Sequence, residues 1–152
     1  MSDGLPRSGR LAGIDYGTVR IGVAVTDPDQ SLASPLEIYT RRNLPADAAW
    51  FQKLAANERL AGFVVGLPVH TTGNESKKSI EAREFAKWLT QVTGLPVRLF
   101  DERFTTAHAQ SLLLEAGFTK KRRKERLDKL AAQILLLAYL ESSRTDTAPG
   151  AL

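Results

Sequence analysis

Four acidic residues stand where the surrounding sequence is apolar or turning, and they are the side chains best suited to chemistry. Asp15 ends one apolar run, Asp101 and Glu102 end another, and Asp128 lies among leucines near the C-terminus. Two carboxylates brought about 4 Å apart repel by roughly 4 kcal/mol at an effective dielectric constant near 20. A cluster of them persists only if a cation neutralises it or a proton is retained. Two divalent ions about 3.5–4 Å apart would do so, and would also activate water for phosphodiester cleavage.

The same acids have simpler interpretations, which their spacing leaves open. Asp15 could accept hydrogen bonds from the amides of the following turn, as aspartate commonly does. All four could be separate surface acids that form salt bridges with the abundant Lys and Arg. Because successive strand residues face opposite sides, only one of Asp101 and Glu102 can easily aim at a shared point.

A basic run directly before Asp128 is the second feature with chemical meaning. Cations at a helix N-terminus oppose the helix dipole by a few tenths to about 1 kcal/mol each, so this placement favours phosphates nearby in the working complex. A solvated basic face is the alternative. Arg103 and Lys77 are weaker candidates for the same surface, and Arg41-Arg42 is interpreted as an ordinary loop pair. The cations of the run are Lys120, Lys121, Arg122, Arg123, Lys124 and Arg126.

The composition narrows the possible chemistry further. There is no cysteine, which excludes disulfides, zinc ribbons and thiol catalysis. His70 and His108 are the only histidines, too few for a His-rich zinc site. Carboxylates are therefore the plausible metal ligands, and they suit Mg²⁺ or Mn²⁺. The net charge of +4 makes a polyanionic partner such as nucleic acid plausible.

The length of 152 residues favours one domain over 1–152, with its core at about 10–142 and flexible termini. The opening MSDGLPRSGR has no apolar core of the kind that signal peptides carry. The apolar run Ala131–Leu140 is interrupted by Gln133 and is too short to span a bilayer. We therefore expect a cytoplasmic protein without a membrane partner.

The first forty residues predict three antiparallel strands. Apolar runs at Leu11–Ile14 and Ile21–Val25 flank a tight connection around Gly17, and Ala33–Thr40 is the third strand. Pro35 places that third strand at a sheet edge or a strand start. Gly13 shares a strand face with Asp15, and could accept the close approach of a helix that presents Ala131 and Ala132.

Helical and strand patterns then alternate. Asn43 can cap a helix that begins near Pro45, Gly62–Gly66 is an apolar strand, and Gly94 ends the next helix before a strand at Val97–Phe100. Two more helices complete the order β-β-β-α-β-α-β-α-α. This predicts an α/β fold with a mixed five-stranded sheet, helices on both faces, and a site beyond the carboxyl ends of the parallel strands.

Helical spacing predicts which residues of the first two helices are buried. We interpret both tryptophans as core residues rather than as platforms for nucleic-acid bases. The predicted stripes are Ala49, Trp50, Leu54 and Leu60, and Ile80, Phe85, Trp88 and Leu89.

Four motifs in this order resemble the YqgF family, also called RuvX, a family of Holliday junction resolvases. The resemblance runs from about Arg10 to Leu140. The motifs are GIDYGTVRIGVAV at Gly13–Val25, VVGLP at Val64–Pro68, FDERFTT at Phe100–Thr106 and DKLAAQILLLAYL at Asp128–Leu140.

The resemblance implies an RNase H-like fold and a metal-dependent nuclease with Asp15, Glu102 and Asp128 as its acids. The related resolvases have Glu as the second of their three acids, which favours Glu102. Asp101 remains a possible metal ligand. The implied cofactor is Mg²⁺ or Mn²⁺, as two ions. The implied partner is the 16S rRNA precursor, trimmed at its 5′ end, or branched DNA. A two-fold symmetric junction would favour a homodimer over a monomer.

Two other functions stay open at this level. Asp15-Tyr16-Gly17-Thr18 also resembles the phosphate loop of actin-like ATPases and sugar kinases. Those proteins close a second domain over the nucleotide, and this chain is too short for one. The other alternative is a nucleic-acid-binding protein without catalysis.

Overall fold

A computed structural model describes residues 4–67, 77–101 and 130–142. Residues 130–142 are helical. The first of the two helices predicted after the strand at Val97–Phe100 lies outside these ranges. The strands and helices are β1 (Arg10–Asp15), β2 (Arg20–Thr26), β3 (Ala33–Thr40), α1 (Leu44–Glu58), β4 (Leu60–Leu67), α2 (Lys77–Thr93) and β5 (Val97–Asp101).

The five strands form one mixed sheet in the order β3-β2-β1-β4-β5. β1 pairs antiparallel with β2 and parallel with β4, β2 pairs antiparallel with β3, and β4 pairs parallel with β5. The predicted mixed sheet is therefore confirmed. β3 is an edge strand, as Pro35 indicated, and the β2–β3 register shifts beside it, between Val23 and Ala24.

Three local predictions are confirmed by the backbone and its hydrogen bonds. The Asn43 side chain caps α1 by accepting a hydrogen bond from the Ala46 amide at 2.9 Å. Gly94 follows α2 with a φ of +73°, a conformation that glycine adopts without strain. A methyl group at Gly17 would collide with the Arg20 carbonyl oxygen, so the β1–β2 connection depends on glycine.

Helices α1 and α2 cover one face of the sheet with an aromatic core. Phe51 is fully buried, and its ring centroid lies 5.7 Å from that of Phe85 and 6.5 Å from that of Phe63. Trp50 and Trp88 pack edge-on against it at 4.9 and 6.1 Å. Both tryptophans are half-buried against this core, as expected, but Trp88 also lines a surface cavity.

The helical residues 130–142 cover the opposite face of the sheet. Leu135, Leu136 and Tyr139 pack there in one buried cluster with Leu11 of β1 and Phe100 of β5. Helices therefore cover both faces, as predicted, and β1 lies at the centre of the molecule between two hydrophobic cores.

The predicted helix stripes are wrong at three positions. Ala49 is exposed, and Leu60 belongs to β4 rather than to the preceding helix. The buried residues of α1 include Asp47 and Phe51, because the stripe contains an acid that a search for apolar residues passes over. Ile80 of α2 is 49% exposed, since it lies over a surface cavity rather than over the sheet.

No helix in the described ranges is long and apolar enough to cross a membrane.

Candidate active site

Asp15 is the last residue of the central strand, and its two neighbours across the sheet are glycines. It pairs with Gly22 on β2. On the other side Ile14 pairs with Val65, so Gly66 of β4 lies level with Asp15. The carboxyl ends of β1, β4 and β5 share this edge of the sheet, because the three strands are parallel. The half-buried Asp15 carboxylate therefore projects where no side chain of an adjacent strand crowds it.

The helical residues 130–142 lie against the same face of β1. A methyl group at Gly13 would stand 2.8 Å from the Ala132 carbonyl oxygen and 3.0 Å from the Leu136 Cβ, so only glycine permits this approach. A methyl group at Gly22 would lie 3.5 Å from the Asp15 Cβ and 3.8 Å from the Ala132 Cβ, which are ordinary contacts. The predicted close approach of this helix at Gly13 is thus confirmed, and it brings Ala132 beside Asp15.

The structure covers only part of the predicted acid cluster. Asp15 and Asp101 are described, at the ends of β1 and β5, whereas Glu102 and Asp128 lie outside the described residues. Phe100 packs in the cluster on the face of Asp15, so by strand alternation Asp101 belongs to the opposite face. Within the described ranges, no three Asp, Glu or His side chains come together as a metal-binding group.

The basic residues predicted to bind nucleic acid are covered even less. Arg103 and the run from Lys120 to Arg126 fall outside the described residues. Lys77 is described, and it lies exposed in the first turn of α2. It lines a cavity on the α1–α2 side of the sheet, together with Tyr16, the residue after Asp15.

A hydrogen-bond network around the buried Asp47 fixes the residues beside Tyr16. The Tyr39 hydroxyl donates to Asp47 Oδ1 at 2.6 Å, and the Arg42 amide donates to the same oxygen at 3.0 Å. Arg41 Nε donates to Asp47 Oδ2 at 3.3 Å, while its Nη1 donates to the Tyr16 hydroxyl at 3.1 Å. A buried carboxylate thereby holds an arginine against the residue that follows Asp15.

The protonation of this network follows from its contacts. Burial by itself raises the pKa of Asp47, but hydrogen bonds from Tyr39, the Arg42 amide and Arg41 outweigh it and hold the pKa below its usual value of 3.8. Burial and the adjacent Asp47 raise the pKa of Tyr39 above 10.0. At neutral pH the pair is therefore an ionised carboxylate with a protonated phenol donating to it.

The interpretation of Arg41 as half of an ordinary loop pair is wrong. Its side chain is only 20% exposed, and its guanidinium carbon lies 5.4 Å from the centre of the Tyr16 ring and 5.9 Å from that of Phe85. The available sequence signal was an arginine pair closely followed by Asp47 in the first turn of a helix. Only the packing of α1 on β3 shows that this acid is buried and needs a partner.

The cavity beside Tyr16 has a volume of about 640 Å³. Tyr16, Phe85 and Trp88 contribute aromatic surface to its lining, and Arg41 and Lys77 contribute positive charge. Sequence reasoning did not find this cavity, because its lining comes from three stretches that are far apart in the chain.

Comparison with known proteins identifies the family. The model of the family described as RuvX: Holliday junction resolvase matches residues 9–142. A protein of Rhodopirellula baltica named "Putative pre-16S rRNA nuclease" is 55% identical over 142 residues, which cover 93% of this chain and 82% of the relative. A protein of the same name from Rhodobacter capsulatus is 42% identical over 137 residues, covering 90% and 86%. These matches support the nuclease interpretation over the nucleotide-binding alternative.

Solved structures show the same fold at low sequence identity. RuvC of T. thermophilus, solved in complex with a Holliday junction substrate, superposes with a TM-score of 0.60 at 17% identity, covering 92% of this chain and 98% of RuvC. The yeast mitochondrial Holliday junction resolvase Ydc2 gives 0.51 at 10% identity, covering 92% and 81%. The predicted RNase H-like architecture is therefore confirmed. The chain belongs to the RuvX family.

Proposed function

We propose that this chain is a metal-dependent endonuclease that hydrolyses phosphodiester bonds of structured nucleic acid, using Asp15, Glu102 and Asp128. The position of Asp15 carries the proposal. Asp15 is the last residue of the central strand and lies between Gly22 and Gly66 of the neighbouring strands. The helical residues 130–142 pack closely on the same face, with Ala132 near Gly22. The two glycines place no side chain of a neighbouring strand against this negative charge, as a site for cations and a phosphate backbone requires.

Strand alternation supports Glu102 rather than Asp101 as the second acid. Phe100 packs on the face of the sheet to which Asp15 belongs. If the chain stays extended past the end of β5, Asp101 points to the opposite face and Glu102 returns to that of Asp15. Asp101 then takes a supporting place at the edge of the site.

The packing of residues 130–142 supports Asp128 as the third acid. Ala132 lies beside Asp15, with its Cβ 3.8 Å from a methyl group built at Gly22. Residue 128 precedes Ala132 by four positions, about one helical turn, and therefore shares its face if the helix extends that far. Such an extension would direct Asp128 towards Asp15.

The proposed donor set suits Mg²⁺ or Mn²⁺, because these ions prefer carboxylate oxygens. Two such ions, when bound, neutralise the clustered acids, activate water and stabilise the leaving oxygen. The chain itself would orient the ions through three carboxylates on separate elements. Arg103, Lys77 and the basic run 120–126 would hold the phosphate backbone, and the glycines beside Asp15 would admit it.

The names of the relatives favour an RNA substrate. We propose the precursor of 16S rRNA as the substrate, with four-way DNA junctions as the alternative that the RuvX family description supports. The proposed compartment is the cytoplasm, and the proposed working form is a monomer or a homodimer.

Replacement of Asp15 by asparagine tests the proposal directly. We expect Asp15→Asn to reduce cleavage by at least about a hundredfold, because a neutral amide no longer neutralises or orients the cations. The substrates are an rRNA-precursor fragment, a four-way DNA junction and a plain duplex, each with Mg²⁺, Mn²⁺ or EDTA. Asp29→Asn, which removes an exposed acid from the β2–β3 turn, is the matched control.

Two results would contradict the nuclease proposal. One is cleavage by Asp15→Asn at the rate of Asp29→Asn. The other is cleavage by the wild-type protein that persists in EDTA. Binding of the substrates by the Asp15→Asn protein should remain, because the basic surface is unchanged.

A further inference from the structure

The cavity beside Tyr16 opens next to the candidate active site but on the other face of the sheet. Asp15 belongs to the face covered by residues 130–142, and the Tyr16 ring packs against Phe85 of α2, with 4.8 Å between ring centroids. Consecutive Cα atoms lie about 3.8 Å apart. Asp15, at the proposed cleavage site, and Tyr16, in the cavity wall, are therefore joined by a single peptide bond. A nucleic-acid strand that crosses this edge of the sheet would contact both residues.

The aromatic wall of the cavity is held in place by the rest of the fold. Phe85 lies between Tyr16 and Trp88, with its ring centroid 5.5 Å from that of Trp88. Arg41 stacks over the Tyr16 ring and is tied to the buried Asp47. Flat bases stack on aromatic rings and on arginine planes of this kind. The surface is formed before any ligand arrives, so little ordering is needed on binding.

The remaining lining matches the other parts of a nucleotide. Lys77 and Arg41 supply positive charge for a phosphate, and the carboxylates of Glu81 and Glu84 can accept hydrogen bonds from the amino groups of a base. Leu44 and Ile80 line the same cavity with 58% and 49% of their surface exposed. A bound base would cover these two apolar side chains. The volume of about 640 Å³ lies within the range of small-ligand sites.

From this combination we propose that the cavity binds one unpaired nucleotide of the substrate, close to the bond that is cut at Asp15. The base stacks on the wall of Tyr16 and Trp88, and Arg41 and Lys77 contact its phosphate. Bases inside a duplex are stacked on each other and cannot enter, so the site selects substrates with a single-stranded segment at the cleavage point. This inference rests on the proposed nuclease function.

Tryptophan fluorescence offers a direct report on the cavity. The chain has two tryptophans, and Trp50→Phe leaves Trp88 as the single emitter in the full-length protein. We expect a short single-stranded RNA to quench Trp88 through base stacking, without added divalent ions so that nothing is cut. The same RNA annealed to its complement should produce little quenching.

Two substitutions block the cavity without touching the core. Leu44→Glu and Ile80→Glu each place a carboxylate beside Glu81 and Glu84, and both positions lie in the first turn of a helix, where an acid is favourable. Leu36→Glu is the matched control, since it makes the same charge change at a 41% exposed position on β3. We expect each cavity variant to weaken single-strand binding about tenfold. Leu36→Glu should change it by less than about twofold.

Three outcomes would overturn the nucleotide site. The first is Trp88 emission that does not respond to single-stranded RNA. The second is equal weakening by Ile80→Glu and Leu36→Glu, which would assign the effect to overall charge. The third is a change of oligomeric mass in Ile80→Glu with unaltered RNA affinity, which would make this surface a contact between two copies of the chain.

Failure of this inference is distinguishable from failure of the nuclease proposal. Quenching is measured without divalent ions, whereas cleavage needs them. An Asp15→Asn protein that still cuts, while single-stranded RNA still quenches Trp88, removes the proposed catalytic role and leaves the nucleotide site standing. If Leu44→Glu and Ile80→Glu cleave the substrate at the wild-type rate, and RNA quenches Trp88 in them as strongly as in the parent protein, the nucleotide site is ruled out. The catalytic proposal then still stands.

Discussion

The buried carboxylate of Asp47 holds β3, the β3–α1 connection and, through Arg41, Tyr16 in fixed positions. A charge withdrawn from water is destabilising by several kcal/mol unless it is paired and hydrogen-bonded. Here Tyr39, Arg41 and the Arg42 amide all donate to the carboxylate, which is 2% exposed. Because Arg41 also donates to Tyr16, this acid positions the wall of the cavity beside the candidate active site.

Replacing Asp47 by asparagine should lower the free energy of unfolding by about 2–3 kcal/mol. The amide keeps the shape of the carboxylate but loses its charge, and its NH₂ group faces donors. Urea unfolding at neutral pH measures the effect. Asp29→Asn, at an exposed position, should stay within about 0.5 kcal/mol of the wild type. Equal stability of the two variants would show that the Asp47 network does not constrain the fold.

At the level of elements, the contact between β1 and the helical residues 130–142 assembles the site. Gly13 lets the helix backbone approach the strand, and Ala132 consequently lies beside Asp15. The same contact buries Leu136 completely in the second core. One glycine therefore serves both the packing and the placement of the proposed third acid.

Gly13→Ala should lower the free energy of unfolding by about 1–3 kcal/mol. Its methyl group would stand 2.8 Å from the backbone carbonyl oxygen of Ala132, which cannot move aside as a flexible side chain could. Alanine at Gly22, whose methyl group meets nothing closer than 3.5 Å, is the matched control. We expect it to remain within about 0.5 kcal/mol of the wild type. Thermal and urea unfolding of both variants provide the comparison, and equal losses would contradict the close-approach argument.

At the scale of the whole molecule, two carboxylates in the described part of the chain have lowered pKa values and contribute to its resistance to acid. Asp27 holds the β2–β3 turn by accepting hydrogen bonds from the amides of Leu32 and Ser31 at 2.8 Å and from the Ser31 hydroxyl at 2.7 Å. With the Leu32 amide as the largest cause, these bonds lower its pKa from 3.8 to about 2. The pKa of Asp47 is lowered as well.

These two carboxylates contribute stability that is present above about pH 4 and is lost as the pH falls towards 2, because the unfolded chain takes up protons first. We expect the urea midpoint to drop across this interval. The drop should be smaller in Asp27→Asn, which lacks one of the titrating groups. Midpoints measured at several pH values check this, and identical acid profiles of the two proteins would contradict the assignment to Asp27.

Much of the fold was predictable because its signals are local. The Asn43 cap, the edge position of Pro35 and the end of α2 at Gly94 each follow from the backbone chemistry of one residue type. Prediction was wrong where burial depended on a distant element. Ala49 and Ile80 fit an apolar stripe but are exposed, because α1 buries Asp47 in its stripe and α2 leaves its first turn over a cavity.

By itself the sequence determined the order of the strands and helices that the structure describes, the family, and the acids to examine, since strand alternation, capping and motif spacing all follow from the order of residues along the chain. Only the tertiary structure decided that glycines flank Asp15, that Ala132 lies beside it, and that Arg41 is anchored on Asp47 rather than free in a loop. Those facts depend on the pairing of strands and on the burial of one helix face against the sheet. Both arise when residues far apart in the chain exclude water together.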